Sequence, residues 1–237
     1  MTDTAVVADL APTGVLRASI NLGNPVLAQG TSDGPAGVTV DLAREIAGRL
    51  GAPVSFACFN AARRSLAAVI AGAADVAFLA IEPAREAEVS FTAPYVIIEG
   101  VYAVPGGSPV TTAAEVDRPG VRVGVNEGSA YDLFLSRTLT HAQVVRGADG
   151  VAVFREQGLE AVAGIRQPLS RYVASHPGLR LVEPRFMEIR QAVATTKDRA
   201  DAAIAFLREF IETVKANGFV ADALARSGQD ATVAPPS

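Results

Sequence analysis

A chain of 237 residues, 49% hydrophobic and 19% charged, is long enough for two hydrophobic cores of roughly 100 residues each, and its composition excludes a disordered or fibrous class. Its net charge of −4 argues against a nucleic-acid footprint, and lysine occurs only at Lys197 and Lys215. The single cysteine, Cys58, has no internal disulfide partner and reads as an inert thiol in the apolar stretch Phe56-Ala57-Cys58-Phe59.

The two histidines, His141 and His176, stand far apart in polar stretches, so no zinc site is expected, and no other cofactor is. Residues 65–81 are nearly all apolar, but Asp75 and the Gly72-Ala73-Ala74 break fit a helix, a turn and a strand better than a membrane span. The first residues, Met-Thr-Asp-Thr-Ala-Val, lack a basic region followed by an apolar stretch. A secretory signal that has been removed and one that never existed both remain open.

In chain order, residues 14–20 read as a first strand and 30–37 as a Gly, Ser, Asp and Pro-rich loop. Residues 40–50 place apolar side chains at 42, 43, 46, 47 and 50, an amphipathic helix stopped by Gly51. A strand at 54–59, a helix at 64–71 ending on Gly72, and a strand at 75–80 complete a β-α-β-α-β series, the signature of a parallel sheet. A second apolar run then leads through Val104 to Pro105-Gly106-Gly107.

The pattern restarts at 121–125. A helix over 131–139, a strand at 143–146, a helix at 150–157 and a strand at 159–164 follow, with another helix beginning at Pro168. Residues 190–196 read as a strand, 200–216 as a long amphipathic helix and 220–227 as a final short one. These closing elements have no sheet of their own and are expected to return to the first unit. The expected α/β architecture has lobe 1 at 1–104 plus 191–237 and lobe 2 at 105–190. Such a chain crosses twice between its lobes, and ligands gather at the carboxyl ends of parallel strands. Arg85 and Ser129 each follow such a strand end, one per lobe.

Four stretches in this order resemble one family. "GVTVDLAREIAGRLGAPVSF" resembles a G-F-x-V-D-L-x-x-x-I-A-x-x-L-G segment. "LAAVIAGAADVAFLAIEPAREAEVSFTAPY" resembles a segment running from L-x-x-G-x-x-D through T-x-x-R to F-x-x-P-Y. "GVRVGVNEGSA" resembles K-V-G-V-x-x-G-[ST], and "FIETVKANGFVADALARSG" resembles a C-terminal helix pair. The family is the type II periplasmic solute-binding proteins, specifically the polar amino-acid class of bacterial ABC importers, family 3. The match spans almost the whole chain. It implies a two-lobe Venus-flytrap fold with two hinge crossovers, a monomer in the periplasm, a small-molecule ligand and an ABC transporter permease as partner. A cytoplasmic location stays open.

Carried over residue by residue, the resemblance makes Arg85 a fork for a ligand carboxylate, which a planar guanidinium suits. It makes Ser129, with Gly128, a hydroxyl and backbone donor at a helix start. Ser129 with Asp132 also reads as a plain capping box, and one serine can serve both roles. The departures are as informative. Ala80 stands where a hydroxyl is usual, and Glu82 stands in place of a threonine, where it could pair with Arg85 at i,i+3 as a surface bridge. Ile165 replaces the aspartate that holds an α-ammonium, and Arg166 beside it would repel one. Asn21 and Asn24 follow the first strand in place of acidic and aromatic residues, Asn60 lies where an aromatic platform is expected, and Phe78 replaces a small polar lining residue.

The expected function is therefore the binding of a small carboxylate-bearing or amino-acid-like solute without conversion. One alternative is an enzyme on the same scaffold, resembling cyclohexadienyl dehydratases, with Glu82 or Glu127 as general acid. The other is a stand-alone ligand sensor.

Overall fold

The structure, a computed structural model, describes residues 2–237. The chain divides into two compact units, Met1–Ile97 with Arg190–Ser237 and Ile98–Ile189.

The first unit opens with α1 (Thr4–Leu10), started by Asp3, whose side chain accepts from the amide of Ala5. Next come β1 (Leu16–Asn21), the hairpin β2 (Gln29–Thr31) and β3 (Gly34–Ala36), α2 (Val38–Leu50), β4 (Val54–Phe59), α3 (Ala62–Ile70), β5 (Val76–Ala80) and the one-turn α4 (Pro83–Glu86). The long strand β6 (Val89–Pro105) carries the chain into the second unit. There β7 (Arg122–Asn126), α5 (Ala130–Thr138), β8 (Gln143–Gly147), α6 (Gly150–Gln157), β9 (Ala161–Ile165) and α7 (Arg166–Ala174) follow. The strand β10 (Leu179–Thr196) returns it to α8 (Asp201–Ala216), α9 (Phe219–Arg226) and the short β11 (Thr232–Val233).

The two units repeat one topology. In the first, β1 lies between β4 and β5, parallel to both, and β10 adds antiparallel to β5. In the second, β7 lies between β8 and β9, parallel to both, and β6 adds antiparallel to β9. Each unit is thus a β-α-β-α-β series closed by one antiparallel strand. Helices cover the faces, as buried parallel strands require. In the first unit Ala77 and Leu79 of β5 pack with Ala68 and Val69 of α3. In the second, Val162 of β9 packs with Phe154 of α6 and Leu169 of α7.

The repeat extends to a charge contact. Asp75, just before β5, is completely buried and accepts from the backbone amide, Nε and Nη2 of Arg17 in β1 and from Arg199. Arg17 also donates to the carbonyl of Gly72, where α3 has ended. In the second unit Glu160, just before β9, accepts from the same three groups of Arg122 in β7, and Arg122 reaches the carbonyl of Gly158 at the end of α6. One arginine ties the first strand of each series to the entry of the third.

The sequence reading places these helices and parallel strands within a few residues of where they fold, and residues 65–81 are indeed helix, turn and strand. Among the described residues no helix is long and apolar enough to cross a membrane. Three features differ from that reading. Residues expected to form a loop at 30–37 contain a two-stranded hairpin and the start of the approach to α2. The helix α1, seven residues long, is too short to show a period. The first half of β10, Leu-Arg-Leu-Val-Glu-Pro-Arg-Phe-Met-Glu-Ile, is too polar to read as a strand in isolation.

The two charge contacts differ in burial, which sets their worth. Replacing Asp75 with Ala removes a buried carboxylate and its hydrogen bonds from two arginines, leaving Arg17 the Gly72 carbonyl and Arg199 the Asp9 carboxylate. The expected loss is about 3 kcal/mol in urea denaturation, the low end for breaking a buried pair. Glu160→Ala removes the same geometry from a half-exposed site, and its midpoint is expected to move far less. Equal losses would show that burial is not what gives Asp75 its weight.

Candidate functional site

The carboxyl ends of the parallel strands collect the residues that the sequence singles out. In the first unit, β1 ends at Asn21, whose Oδ1 accepts from the amide of Gly23 in a side-chain turn. Gly23 lies against the backbone of Asn60, the exposed residue after β4; a Cβ at position 23 would come within 2.3 Å of the Asn60 oxygen. Asn24 is buried, and its Oδ1 accepts from Val26 at 3.3 Å. These asparagines therefore shape the turn after β1, as short amide side chains do.

At the end of β5, Phe78 is buried with its ring edge-on to Tyr95, 6.3 Å between centroids. Ala80 closes the strand, and its carbonyl oxygen accepts from Nη1 of Arg85 at 3.0 Å. Glu82 is the N-terminal flanking residue of α4, and its carbonyl takes the amides of Arg85 and Glu86. Both Glu82 and Arg85 are 2% exposed. Burial lowers the Arg85 guanidinium to about 10, while attraction to Glu82 works in the opposite direction. The i,i+3 relation that the sequence offers as a possible surface bridge thus lies in the interior.

In the second unit the turn between β7 and α5 carries Asn126, Glu127, Gly128 and Ser129. Gly128 adopts a left-handed conformation, φ +72°, which costs glycine nothing and turns the chain into the helix. Ser129 caps α5, its hydroxyl oxygen accepting from the amide of Asp132 at 3.1 Å. The Asp132 carboxylate answers by accepting from the amide of Gly128 at 2.8 Å. It is buried, and it also takes Ser136 Oγ and Nε of Arg146, each at 3.0 Å. The capping relation between Ser129 and Asp132 was legible; the role of Arg146, fourteen residues on in β8, was not. Tyr131 is buried over this turn, where desolvation pushes its phenol up to about 12 against hydrogen bonds to Ser129 and the Asn126 backbone.

At the end of β9, Ile165 is half-buried and opens α7 without a side-chain cap. Arg166 follows it. The guanidinium donates to Glu99 in β6 and to both oxygens of Glu183 in β10. Glu183 and then Glu99 raise the Arg166 pKa against the desolvation that opposes them, and Arg166 in turn lowers that of Glu183. Glu99 also takes Arg185, which pairs with Glu188. Glu99, Glu183 and Arg185 had no local pattern in the sequence to mark them, because their partners come from distant strands.

In each unit the geometry brings the predicted residues to the ends of the strands. In the first, these are Asn21, Asn24, Ala80, Glu82 and Arg85, with Asn60 beside them and Phe78 within β5. In the second, they are Gly128, Ser129, Ile165 and Arg166. The arrangement offers polar groups and fixed charges, with arginine opposite carboxylate in each.

Comparison with known proteins gives this geometry a context. The family model described as bacterial extracellular solute-binding proteins, family 3, matches residues 20–228. No curated protein sequence matches the chain. Among solved structures, the solute receptor for L-cysteine of Neisseria gonorrhoeae is 21% identical, with a TM-score of 0.78 over 93% of this chain and 92% of that one. An amino-acid ABC transporter substrate-binding protein, AbpA from Streptococcus pneumoniae bound to L-arginine, is 19% identical, with a TM-score of 0.75 over 92% and 96%. The ancestral amino-acid-binding protein AncCDT-1, a precursor of cyclohexadienyl dehydratase, is 18% identical, with a TM-score of 0.76 over 93% and 97%. At these identities the likeness is one of fold: two-lobe type II binding proteins.

The hydrogen bonds around Asp132 give a test of the second-unit turn. Asp132→Ala leaves the Gly128 amide and Ser136 without their acceptor, an expected loss of about 2 kcal/mol. At this chain length that lowers the melting temperature by about 4–8 °C. Ser129→Ala removes one capping acceptor and is expected to cost about 1 kcal/mol. A loss for Asp132→Ala no larger than that for Ser129→Ala would reduce Asp132 to an ordinary cap.

Proposed function

The chain belongs to family 3 of the bacterial extracellular solute-binding proteins, and we propose that it serves as the solute-binding component of an ABC importer. Its solute is small and amino-acid-like. The observation that carries this reading is the family match over residues 20–228. Support comes from the solved neighbours, which include an L-arginine complex and a receptor for L-cysteine.

The proposed binding residues are the ones gathered at the strand ends. On the first unit they are Asn21, Asn24, Asn60, Phe78, Ala80, Glu82 and Arg85, and on the second Gly128, Ser129, Ile165 and Arg166. The proposed place of action is outside the cytoplasmic membrane, with the membrane permease as protein partner and the monomer as working form. Solute binding shifts the protein toward the conformer that makes the better contacts with it, which is how such a component would signal loading to a permease.

Binding without conversion is part of the proposal. A dehydratase-type reaction needs a general acid. Of the two carboxylates offered for that role, Glu82 is buried with its charge matched by Arg85, and Glu127 is exposed.

The test is a melting-temperature screen of protein unfolded and refolded to strip any solute carried through purification. The library holds amino acids, their amines and amides, keto acids and hydroxy acids. A solute at 100 times its dissociation constant stabilises by about 2.7 kcal/mol, a shift of about 5–11 °C. One chemically coherent group of responders is the expected result. A flat response across the library, with no small-molecule adduct in native mass spectra of the unstripped protein, would remove the solute-binding reading.

A further inference from the structure

Taking up a solute's carboxylate requires a guanidinium or a set of helix-start amides with donors to give. This chain has such groups at its strand ends, and three of them are already matched by its own carboxylates. In the first unit Arg85 is buried with Glu82 one turn away, and its Nη1 is spent on the Ala80 carbonyl. In the second unit the amide of Gly128 at the start of α5 is taken by Asp132, whose remaining capacity goes to Ser136 and Arg146. At the end of β9, Arg166 is held by Glu99 and Glu183.

The charge balance points the same way. Glu82 offsets Arg85, and Asp132 offsets Arg146. The cluster at the end of β9 sets Arg166 and Arg185 against Glu99, Glu183 and Glu188, one negative charge in excess. A carboxylate brought to Arg85 must either lie beside Glu82, as a second anion on one buried cation, or expel Glu82 and leave a buried anion without its counter-charge. A solute without a carboxylate brings no second anion to this cation.

Resting on the solute-binding reading above, we propose that this site takes a carboxylate-free relative of an amino acid, an amine or an amide, and that Glu82 is the residue that excludes the free acid. Specificity of this kind comes from a repulsive element built against the competitor rather than from an added attraction.

The experiment uses matched probes on the stripped full-length chain: L-arginine, L-lysine and L-leucine against agmatine, cadaverine and isoamylamine, together with the three amino-acid amides. Melting shifts select the responders, and calorimetry gives their dissociation constants. The expected result is at least tenfold tighter binding of an amine or amide than of its parent acid, with that preference cut at least tenfold in Glu82→Thr. Threonine is chosen because it caps a helix start well, and position 82 flanks α4. Glu82→Gln, closer in size, provides the same comparison should the threonine variant fail to fold.

Equal affinity of the wild-type chain for acid and amine overturns the proposal. So does a preference that survives both Glu82 variants. If none of the probes binds the wild type or the variants, the proposal falls as well. Native mass spectrometry then separates the two readings: a small-molecule adduct on the unstripped protein keeps solute binding in place while the amine and amide class is abandoned.

Discussion

A single buried carboxylate organises the first unit. Asp75 sits between the end of α3 and the start of β5, without solvent exposure, and draws two arginines to it. Arg17 brings in β1, since both its backbone amide and its guanidinium bind the same carboxylate. Arg199 brings in the segment between β10 and α8 and reaches onward to Asp9 at the end of α1. A buried charge is tolerated only when its partners are in place, so formation of the sheet and docking of both chain-terminal segments are linked through one residue. The second unit repeats the contact between Arg122 and Glu160 closer to solvent, where the same hydrogen bonds carry less energy. The geometry is therefore a property of the β-α-β-α-β series, and the energy is a property of depth.

The same rule governs the strand ends, where charges are more numerous and the stakes are functional. Arg85, Arg146 and Arg166 each meet a carboxylate from their own unit. Such pairing adds little to stability when compared with an apolar filling of the same volume, because desolvation of both ions offsets their attraction. Its consequence lies in what the surface will accept. An arginine whose charge is matched draws an anion less strongly.

How much of this could be read in advance follows from the range of each interaction. Helix α2 announces itself through apolar residues at 42, 43, 46, 47 and 50 and the stop at Gly51, all within one segment. Ser129 and Asp132 declare a helix start in four consecutive residues. Strand β10 does not declare itself, because Arg180, Glu183, Arg185 and Glu188 interrupt any apolar run and find their meaning only against other elements. Arg166 likewise reads as a lone positive charge until Glu99, 67 residues earlier, is seen beside it. At Arg85 the spacing to Glu82 was visible, but an i,i+3 pair looks the same on a surface and in an interior. Only the packing of β5 and α4 distinguishes them.

That distinction changes the chemistry of the two charges. On a surface, Glu82 and Arg85 would be screened and easily separated, leaving the guanidinium available to an incoming carboxylate. Buried at 2% exposure each, they attract one another where solvent screens little, and moving one away costs that attraction. At the end of β9 the aliphatic Ile165 offers an ammonium no counter-charge, but the three carboxylates there, Glu99, Glu183 and Glu188, outnumber Arg166 and Arg185 by one. On the solute-binding reading proposed above, selectivity would follow from which of the strand-end charges are already paired.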